Sequence, residues 1–319
     1  MKRSKKALIA GLIFILAGIA VSFSALAMID FNFEKLYPAA DLNTLEIKDS
    51  FKNISVRSEQ CSIIIKPSED NICKIEYIQS TELSAFVKED TLHIENADNK
   101  KWYEYIGVFQ LQPELNIYLP PAEYDKLNAN SQSGDINISQ GFSFNDITLY
   151  SSSGNLSCAA SASNRIAIKT ISGDIYAKDL EADNLRLESS SGNISLLSVS
   201  LDAGAELNSV SGDIKASDVR CSLLTAGSTS GGIKLQDVQT QNNLNIVNVS
   251  GDIVLDKSDA AFLRLKTTSG NISGNLLSPK IFNAYSVSGE INVPPSSSIA
   301  SGECRINTVS GDIKIQITE

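Results

Sequence analysis

Residue types that carry most enzyme chemistry are scarce in this chain. Its 319 residues include one histidine, His93, and one tryptophan, Trp102. A single histidine excludes multi-histidine metal sites and leaves a Ser/His/Asp triad almost no base. The abundant serines recur at equivalent positions without a paired base, which argues against one activated nucleophile. The sequence therefore predicts no catalytic residue, no metal ligand and no cofactor or cofactor-binding residue, and we expect that the protein is not an enzyme.

Cysteine chemistry is the next candidate. The five cysteines are Cys61, Cys73, Cys158, Cys221 and Cys304, and none forms a Cys-x-x-Cys or another metal-ligand spacing. Cys158 and Cys304 fall on apolar columns of the repeat described next, which predicts that they are small buried residues. Cys61 and Cys73 flank an apparent hairpin, and the sequence leaves open whether they pair.

One repeat dominates the chain from Asn130 onward: Ser-Gly, then an Asp/Asn-type residue, then Ile or Leu. We call its glycine the corner glycine, and the ten copies are Gly134, Gly154, Gly173, Gly192, Gly212, Gly231, Gly251, Gly270, Gly289 and Gly311. They are spaced by 19 or 20 residues, except for a last interval of 22. Mostly apolar residues stand seven and five positions before each glycine and two after it, an alternation that predicts strands.

A unit of this length cannot bury its own apolar face, but stacked units share a continuous core. The sequence therefore predicts an all-β fold: a single-stranded parallel β-helix, or β-solenoid, of about ten 19–20-residue coils over residues 126–319. Leucine-rich repeats and propeller blades do not match this period and composition. Each corner glycine is expected to tolerate a positive φ at its turn.

The residue after each corner glycine alternates between acidic and neutral through the first eight coils, from Asp135 to Asn271. Identical aspartates stacked about 5 Å apart would repel one another, whereas an interposed Asn or Gly removes that repulsion. We interpret this column as a structural Asp/Asn ladder at an outward corner. A row of Ca²⁺ sites is the alternative, but the Ca²⁺-binding nonapeptide is absent.

The amino terminus carries four basic residues, Lys2, Arg3, Lys5 and Lys6, before 23 residues without a charge. This pattern predicts a transmembrane anchor over residues 1–29, with a cytoplasmic amino terminus, an extracytoplasmic remainder and a single-pass cell-membrane localisation. A signal peptide cleaved after the Ala-Leu-Ala of residues 25–27 is the alternative. Residues 30–40 would form a linker.

Residues 41–125 are richer in aromatic side chains and are predicted to form a small antiparallel β cap on the solenoid. Within them, Trp102, Tyr103 and Tyr105 lie in the stretch Lys-Trp-Tyr-Glu-Tyr-Ile-Gly. Exposed, these three residues would be a partner-binding site; buried, they would close the open end of the solenoid. The sequence favours the second role.

The Ser-Gly-Asp-Ile repeat, the basic and apolar amino terminus and the Lys-Trp-Tyr-Glu-Tyr-Ile-Gly stretch together resemble the DUF4097 family of bacterial envelope proteins. The resemblance covers nearly all of residues 45–317. It implies an adhesin-like β-helix and transfers no catalytic residue.

These observations predict a membrane-anchored extracytoplasmic β-solenoid with an adhesin-like binding or scaffolding role at the cell envelope. Its partners would be the membrane, through the amino-terminal helix, and an envelope glycan or a surface protein. The net charge of −10 argues against nucleic acid. Two alternatives stay open: a β-helical polysaccharide-processing enzyme, and a regulatory partner in envelope stress.

Overall fold

The structure, a computed structural model, describes residues 2–28, 42–78, 82–97, 113–297 and 299–318. The chain divides into two compact units, Met1–Leu42 and Asn43–Glu319. In the first unit, helix α1 spans Lys2–Met28. The second unit holds the solenoid.

Helix α1 coincides with the predicted transmembrane anchor. Within the part of the chain that the structure describes, however, no helix combines the length and the apolarity that crossing a membrane requires. The predicted transmembrane helix and single-pass membrane localisation are therefore wrong on this finding.

The second unit is built from strands joined in one sheet. The first nine are β1 Leu42–Ile47, β2 Asn53–Ser58, β3 Ser62–Pro67, β4 Cys73–Ile78, β5 Glu82–Lys88, β6 Thr91–Ala97, β7 Glu114–Leu119, β8 Glu123–Ser131 and β9 Ile136–Ile138. The middle group is β10 Ser143–Ser151, β11 Leu156–Cys158, β12 Ser161–Thr170, β13 Ile175–Ser189, β14 Ile194–Ser211, β15 Ile214–Ser230, β16 Ile233–Ser250 and β17 Ile253–Asp256. The last group is β18 Phe262–Lys266, β19 Ile272–Leu276, β20 Ile281–Ser288, β21 Ile291–Asn292, β22 Glu303–Ser310 and β23 Ile313–Ile317.

The repeat forms the predicted parallel β-solenoid, one coil for each corner glycine. The strand before the glycine lies on a first face and the strand after it on a second face. In the central coils the chain then crosses a third face, where Leu180 pairs with Val199, Val199 with Val219 and Val219 with Val238. The long strands β13 to β16 pass over the second and third faces and onto the first face of the next coil.

Inward side chains stack into columns that form the core. The isoleucine or leucine two positions after the corner glycine is at most 1% exposed from Ile136 through Ile272 and at Ile313. Burial of one such side chain contributes about 1.5–3 kcal/mol. Because every coil repeats the pattern, the core runs the length of the solenoid unit.

The predicted antiparallel cap is present only in part. β5 with β6 and β4 with β7 are antiparallel, but β2 and β3 form a coil that pairs in parallel with β8 and β9. On its other side this coil pairs in parallel with β6 and β7. The segment therefore adds two coils to the solenoid, and the coil that comes first in the chain is the second one in space.

The carboxyl end has the mirror arrangement. β22 pairs with β18 on one side and with β20 on the other, while β23 lies between β19 and β21. The coil of β22 and β23, last in the chain, is thus inserted between the two coils that precede it. The coil of β20 and β21 is left at the end, which explains why Ile291 is 46% exposed although its column is buried elsewhere.

The corner glycines are required mainly because the backbone of the neighbouring coil lies too close to leave room for a Cβ atom. A Cβ atom at Gly154 would lie 2.2 Å from the carbonyl oxygen of Gly134, and one at Gly192 would lie 1.9 Å from that of Gly173. Only Gly231, Gly251 and Gly311 of the ten have the predicted positive φ. A true left-handed corner lies six residues later, where non-glycine residues have φ between +47° and +53°. These residues are Asp179, Ser198, Asp218, Asp237 and Lys257.

All five cysteines are buried, and no two of them form a disulfide. Cys158 and Cys304 are fully enclosed in the core columns, which confirms that prediction. Cys61 and Cys73 do not form a disulfide; instead the Cys61 thiol donates to Asn96 Oδ1 at 2.9 Å.

Candidate functional site

An open groove runs along the outward side of the first face. It consists of two adjoining depressions, of about 880 Å³ and about 500 Å³, which share Leu223, Thr225 and Asn243. At about 4.8 Å per coil, the seven coils from Arg165 to Glu303 give it a length of about 29 Å. We call this surface the groove.

The parallel register of the first face aligns the groove residues in two rows. One row stands eight positions before the corner glycines, and the other stands six before them. In spatial order the first row is Arg165, Asn184, Gly204, Leu223, Asn243, Phe262 and Glu303. The second row is Arg186, Glu206, Thr225, Asn245, Arg264 and Arg305. Strand alternation turns both rows away from the core.

Small residues give the groove its depth. Ala203, Gly204 and Ala205 line its larger half, where a Cβ atom on Gly204 would lie 2.7 Å from the carbonyl oxygen of Leu223. The ladder register also shifts just before this face in successive coils, for example between Ser200 and Gly204. Such bulges commonly lie beside functional sites and redirect side chains.

Arginine gives the groove a positive balance within an acidic chain. Its lining contains four arginines and two glutamates, a net charge of +2, whereas the whole chain carries −10. Each glutamate already has a guanidinium partner: Arg186 Nη1 lies 3.0 Å from Glu206 Oε2, and Arg305 Nε lies 2.6 Å from Glu303 Oε1.

The paired arginines are held in their charged form. A hydrogen bond to Glu188, with the nearby charges of Glu188 and Glu206, raises the pKa of the Arg186 guanidinium. A hydrogen bond to Glu303 raises the pKa of Arg305 in the same way. Arg165 and Arg264, by contrast, form no ion pair with any part of the chain that the structure describes.

Two further features of the groove suit a ligand with hydroxyl groups. Asn245 Oδ1 is buried and accepts no hydrogen bond from the described residues. Phe262 is 56% exposed and presents its ring beside Asn243 and Arg264. An unsatisfied acceptor next to an exposed aromatic ring favours a partner that combines O–H donors with an apolar face.

The predicted partner-binding residues Trp102, Tyr103 and Tyr105 lie outside the described residues. In the chain they fall between β6 and β7, the strands of the outermost coil at the amino-terminal end. The groove was not predicted. Its signal is in the sequence, since the outward positions eight and six before the corner glycines hold four of the chain's seven arginines.

The corner ladder has the predicted structural role. The backbone N–H of Asn155 donates to Asp135 Oδ1 at 2.8 Å, that of Asp174 to Asn155 Oδ1 at 2.9 Å, and so on from coil to coil. Each side-chain oxygen thus accepts a hydrogen bond from the backbone N–H at the turn of the next coil. Over the described ranges, no group of three or more His, Cys, Asp and Glu side chains has a metal-binding arrangement.

A second ladder of side chains, on the core side, forms hydrogen bonds to the backbone of the corners. Nine of the ten coils carry Ser or Thr three positions before the corner glycine, and the tenth carries Asn248. Thr170 Oγ1 donates to the carbonyl oxygen of Gly154 at 3.2 Å, and Asn248 Nδ2 donates to that of Gly231 at 2.8 Å. These recurring side chains therefore form hydrogen bonds to the turn backbone of the neighbouring coil.

The family model described as Toastrack DUF4097 matches residues 51–235 and 206–319 of this chain. The chain belongs to the DUF4097 family. The match covers the coils that carry the groove as well as those at the amino-terminal end. No curated protein matches the chain.

Solved structures resemble this DUF4097 protein along most of its length. A putative lipid binding protein from Parabacteroides distasonis ATCC 8503 is 20% identical, with a TM-score of 0.50 over 87% of this chain and 97% of that one. A putative adhesin from the same strain is 13% identical, with a TM-score of 0.47 over 86% and 98%. A putative adhesin from Bacteroides fragilis NCTC 9343 is 16% identical, with a TM-score of 0.39 over 87% and 98%. At such identities the first similarity shows the fold alone.

Proposed function

We propose that this DUF4097 protein is a non-enzymatic, adhesin-like binding module that holds a linear carbohydrate along the groove. The observation that carries the proposal is the pair of in-register rows, rich in Arg, Asn and Glu, that extend over seven and six coils and include the exposed ring of Phe262. Planar polar side chains that repeat at a fixed interval match a ligand that also repeats. The adhesin names of several structural neighbours agree with this role.

The groove is better suited to binding than to catalysis. A general acid or base needs a titratable group free to exchange a proton with the substrate. Both carboxylates of the lining, on Glu206 and Glu303, are instead engaged in ion pairs with guanidiniums. Binding through many shallow contacts fits this arrangement.

The test is a screen of the full chain against a panel of soluble polysaccharides and surface-protein extracts. Thr225 is half-buried at the junction of the two depressions, so Thr225→Trp should fill the groove without disturbing the core. Thr229→Trp, at an exposed position outside the groove, is the matched control. A polysaccharide retained by the control and lost by Thr225→Trp supports the proposal. A protein ligand with that behaviour, or no ligand at all, contradicts it.

A further inference from the structure

We infer that the carbohydrate for this groove is an acidic one, a linear polymer that carries carboxylates along its length. This inference rests on the proposed function and narrows its ligand class. It is carried by two arginines, Arg165 and Arg264. They lie at opposite ends of the groove and lack ion-pair partners among the described residues.

The charge distribution singles out this surface. Arg264 pairs in register with Arg305 on the adjacent coil, so the two side chains extend from strands about 4.8 Å apart. Among the described residues, Glu303 forms an ion pair with Arg305 alone. Two like charges on adjacent strands are unfavourable in the free protein, and a carboxylate placed between them would reduce that repulsion.

The other end of the groove repeats this arrangement in a looser form. Arg165 and Arg186 stand on neighbouring coils, one in each row. Arg186 is tied to Glu188 and Glu206, which leaves the exposed guanidinium of Arg165 available. The two unpaired arginines are five coils apart, or about 24 Å. A single small anion cannot reach both, whereas an extended polymer with several acidic groups can.

Neutral groups between the two ends fit the sugar rings of such a polymer. Asn184, Asn243 and Thr225 offer hydrogen-bonding groups along the middle of the groove. The unsatisfied Asn245 Oδ1 requires a donor, which a sugar hydroxyl provides and a carboxylate does not. The groove thus combines sites for negative charge at its ends with hydroxyl-binding groups between them.

The experiment compares two polymers that differ only in charge. Oligogalacturonate and its carboxyl-reduced, neutral counterpart are titrated calorimetrically into the full chain. We expect the acidic polymer to bind and the neutral one to bind at least about tenfold more weakly, because charge-assisted hydrogen bonds are lost. Added NaCl should weaken binding of the acidic polymer, since exposed charges are screened.

Matched variants locate the interaction. Arg264→Gln and Arg165→Gln remove one charge each and should each weaken acidic binding about tenfold. Arg57→Gln is the control, because Arg57 is also exposed on the first face but lies outside the groove. Equal effects of all three substitutions would show a diffuse electrostatic attraction and would overturn the inference.

The remaining outcomes separate the inference from the proposed function. If both polymers bind equally and Thr225→Trp abolishes both, the groove binds carbohydrate and only the acidic ligand class is wrong. The conclusion is the same if neither polymer binds but another polysaccharide binds the unsubstituted protein and does not bind Thr225→Trp. If acidic binding survives in Thr225→Trp and in Arg264→Gln, the inference is overturned. If Thr225→Trp loses no ligand of any kind, the proposed function fails as well.

Discussion

The backbone N–H of Asp312 donates a 2.9 Å hydrogen bond to Asn271 Oδ1, across 41 residues of chain. Glu290 lies between them in sequence, but its N–H bonds to Asp312 Oδ1 instead, at 2.8 Å. Read in spatial order, the acidic and neutral alternation of the corner ladder therefore continues through a ninth coil and ends at Glu290. The inserted last coil places Asp312 beside Asn271 and Glu290 beside Asp312, so two acidic residues are adjacent only at this end of the ladder.

Engineered disulfides test this order of coils. Lys266 and Asn307 are register partners on adjacent parallel strands, about 4.8 Å apart. Lys266→Cys combined with Asn307→Cys should therefore cross-link on oxidation, within the Cα separation that a disulfide allows. The readout is a mobility shift on non-reducing electrophoresis.

The control pair is Lys266→Cys with Tyr285→Cys. Tyr285 pairs with Asn307, so it is two coils from Lys266, or about 9.6 Å, beyond disulfide range. A solenoid stacked in sequence order would give the opposite result, with cross-linking only in this second pair.

Substitution of a central corner glycine should be severe. A Cβ atom at Gly192 would lie 1.9 Å from the carbonyl oxygen of Gly173, which is backbone and cannot rotate away. We expect Gly192→Ala to lower the free energy of unfolding by at least about 2 kcal/mol, measured by urea denaturation. Gly227→Ala is the control, because its nearest neighbour is the Asn208 side chain at 3.2 Å. Equal losses in both variants would contradict the close-approach explanation.

Periodicity predicted the coils correctly because each coil repeats the same inward columns. The sequence also predicted β structure for the amino-terminal segment, where the strands β1 to β7 lie. Their pairing was not predictable in the same way. β2 pairs with β8 more than 60 residues later, and local alternation carries no information on which distant strand lies alongside.

The groove could not be predicted from the sequence for a related reason. Outward positions vary from coil to coil, so they form no consensus, and their significance appears only when the parallel register stacks Arg264 beside Arg305. The corner glycines show a further limit. Sequence indicated that glycine was needed, but the cause is the carbonyl oxygen of the neighbouring coil rather than the local φ.

The hydroxyl ladder should contribute measurably to stability. Thr170 is fully buried, and its Oγ1 donates to Gly154 O at 3.2 Å. Thr170→Val keeps the shape but removes the donor, and we expect a loss of about 1 kcal/mol in the free energy of unfolding. Thr148→Val, at an exposed position on the neighbouring coil, should stay within about 0.5 kcal/mol of the unsubstituted protein. If Thr170→Val were equally neutral, the ladder would be incidental.

A buried ion pair should stabilise the region of the inserted coil. Lys280 is 2% exposed; its Nζ lies 2.7 Å from Asp259 Oδ1 and donates to Ser278 and Ser301. Lys280→Met leaves Asp259 without its cation in a poorly solvated site and should cost about 3 kcal/mol. Lys280→Met combined with Asp259→Leu should recover most of that loss in thermal or urea unfolding, since no charge is then left unpaired. A double variant as unstable as the single one would contradict this account.

The buried thiols should make stability fall at alkaline pH. Burial raises the pKa of Cys158 from 9.0 to about 12, so between those values the unfolded chain ionises this thiol and the folded chain does not. The unfolded state then binds fewer protons. The contribution of the thiol to the free energy of unfolding is fully present below pH 9 and declines by about 1.4 kcal/mol per pH unit above it.

The variant Cys158→Ala tests this, because alanine already occupies the same core column in other coils, at Ala177 and Ala216. The stability difference between the unsubstituted protein and this variant should therefore be about 2 kcal/mol smaller at pH 10.5 than at pH 8. Urea denaturation at both pH values measures it, and a difference that does not change with pH would show that the Cys158 thiol ionises equally in the folded and unfolded chains.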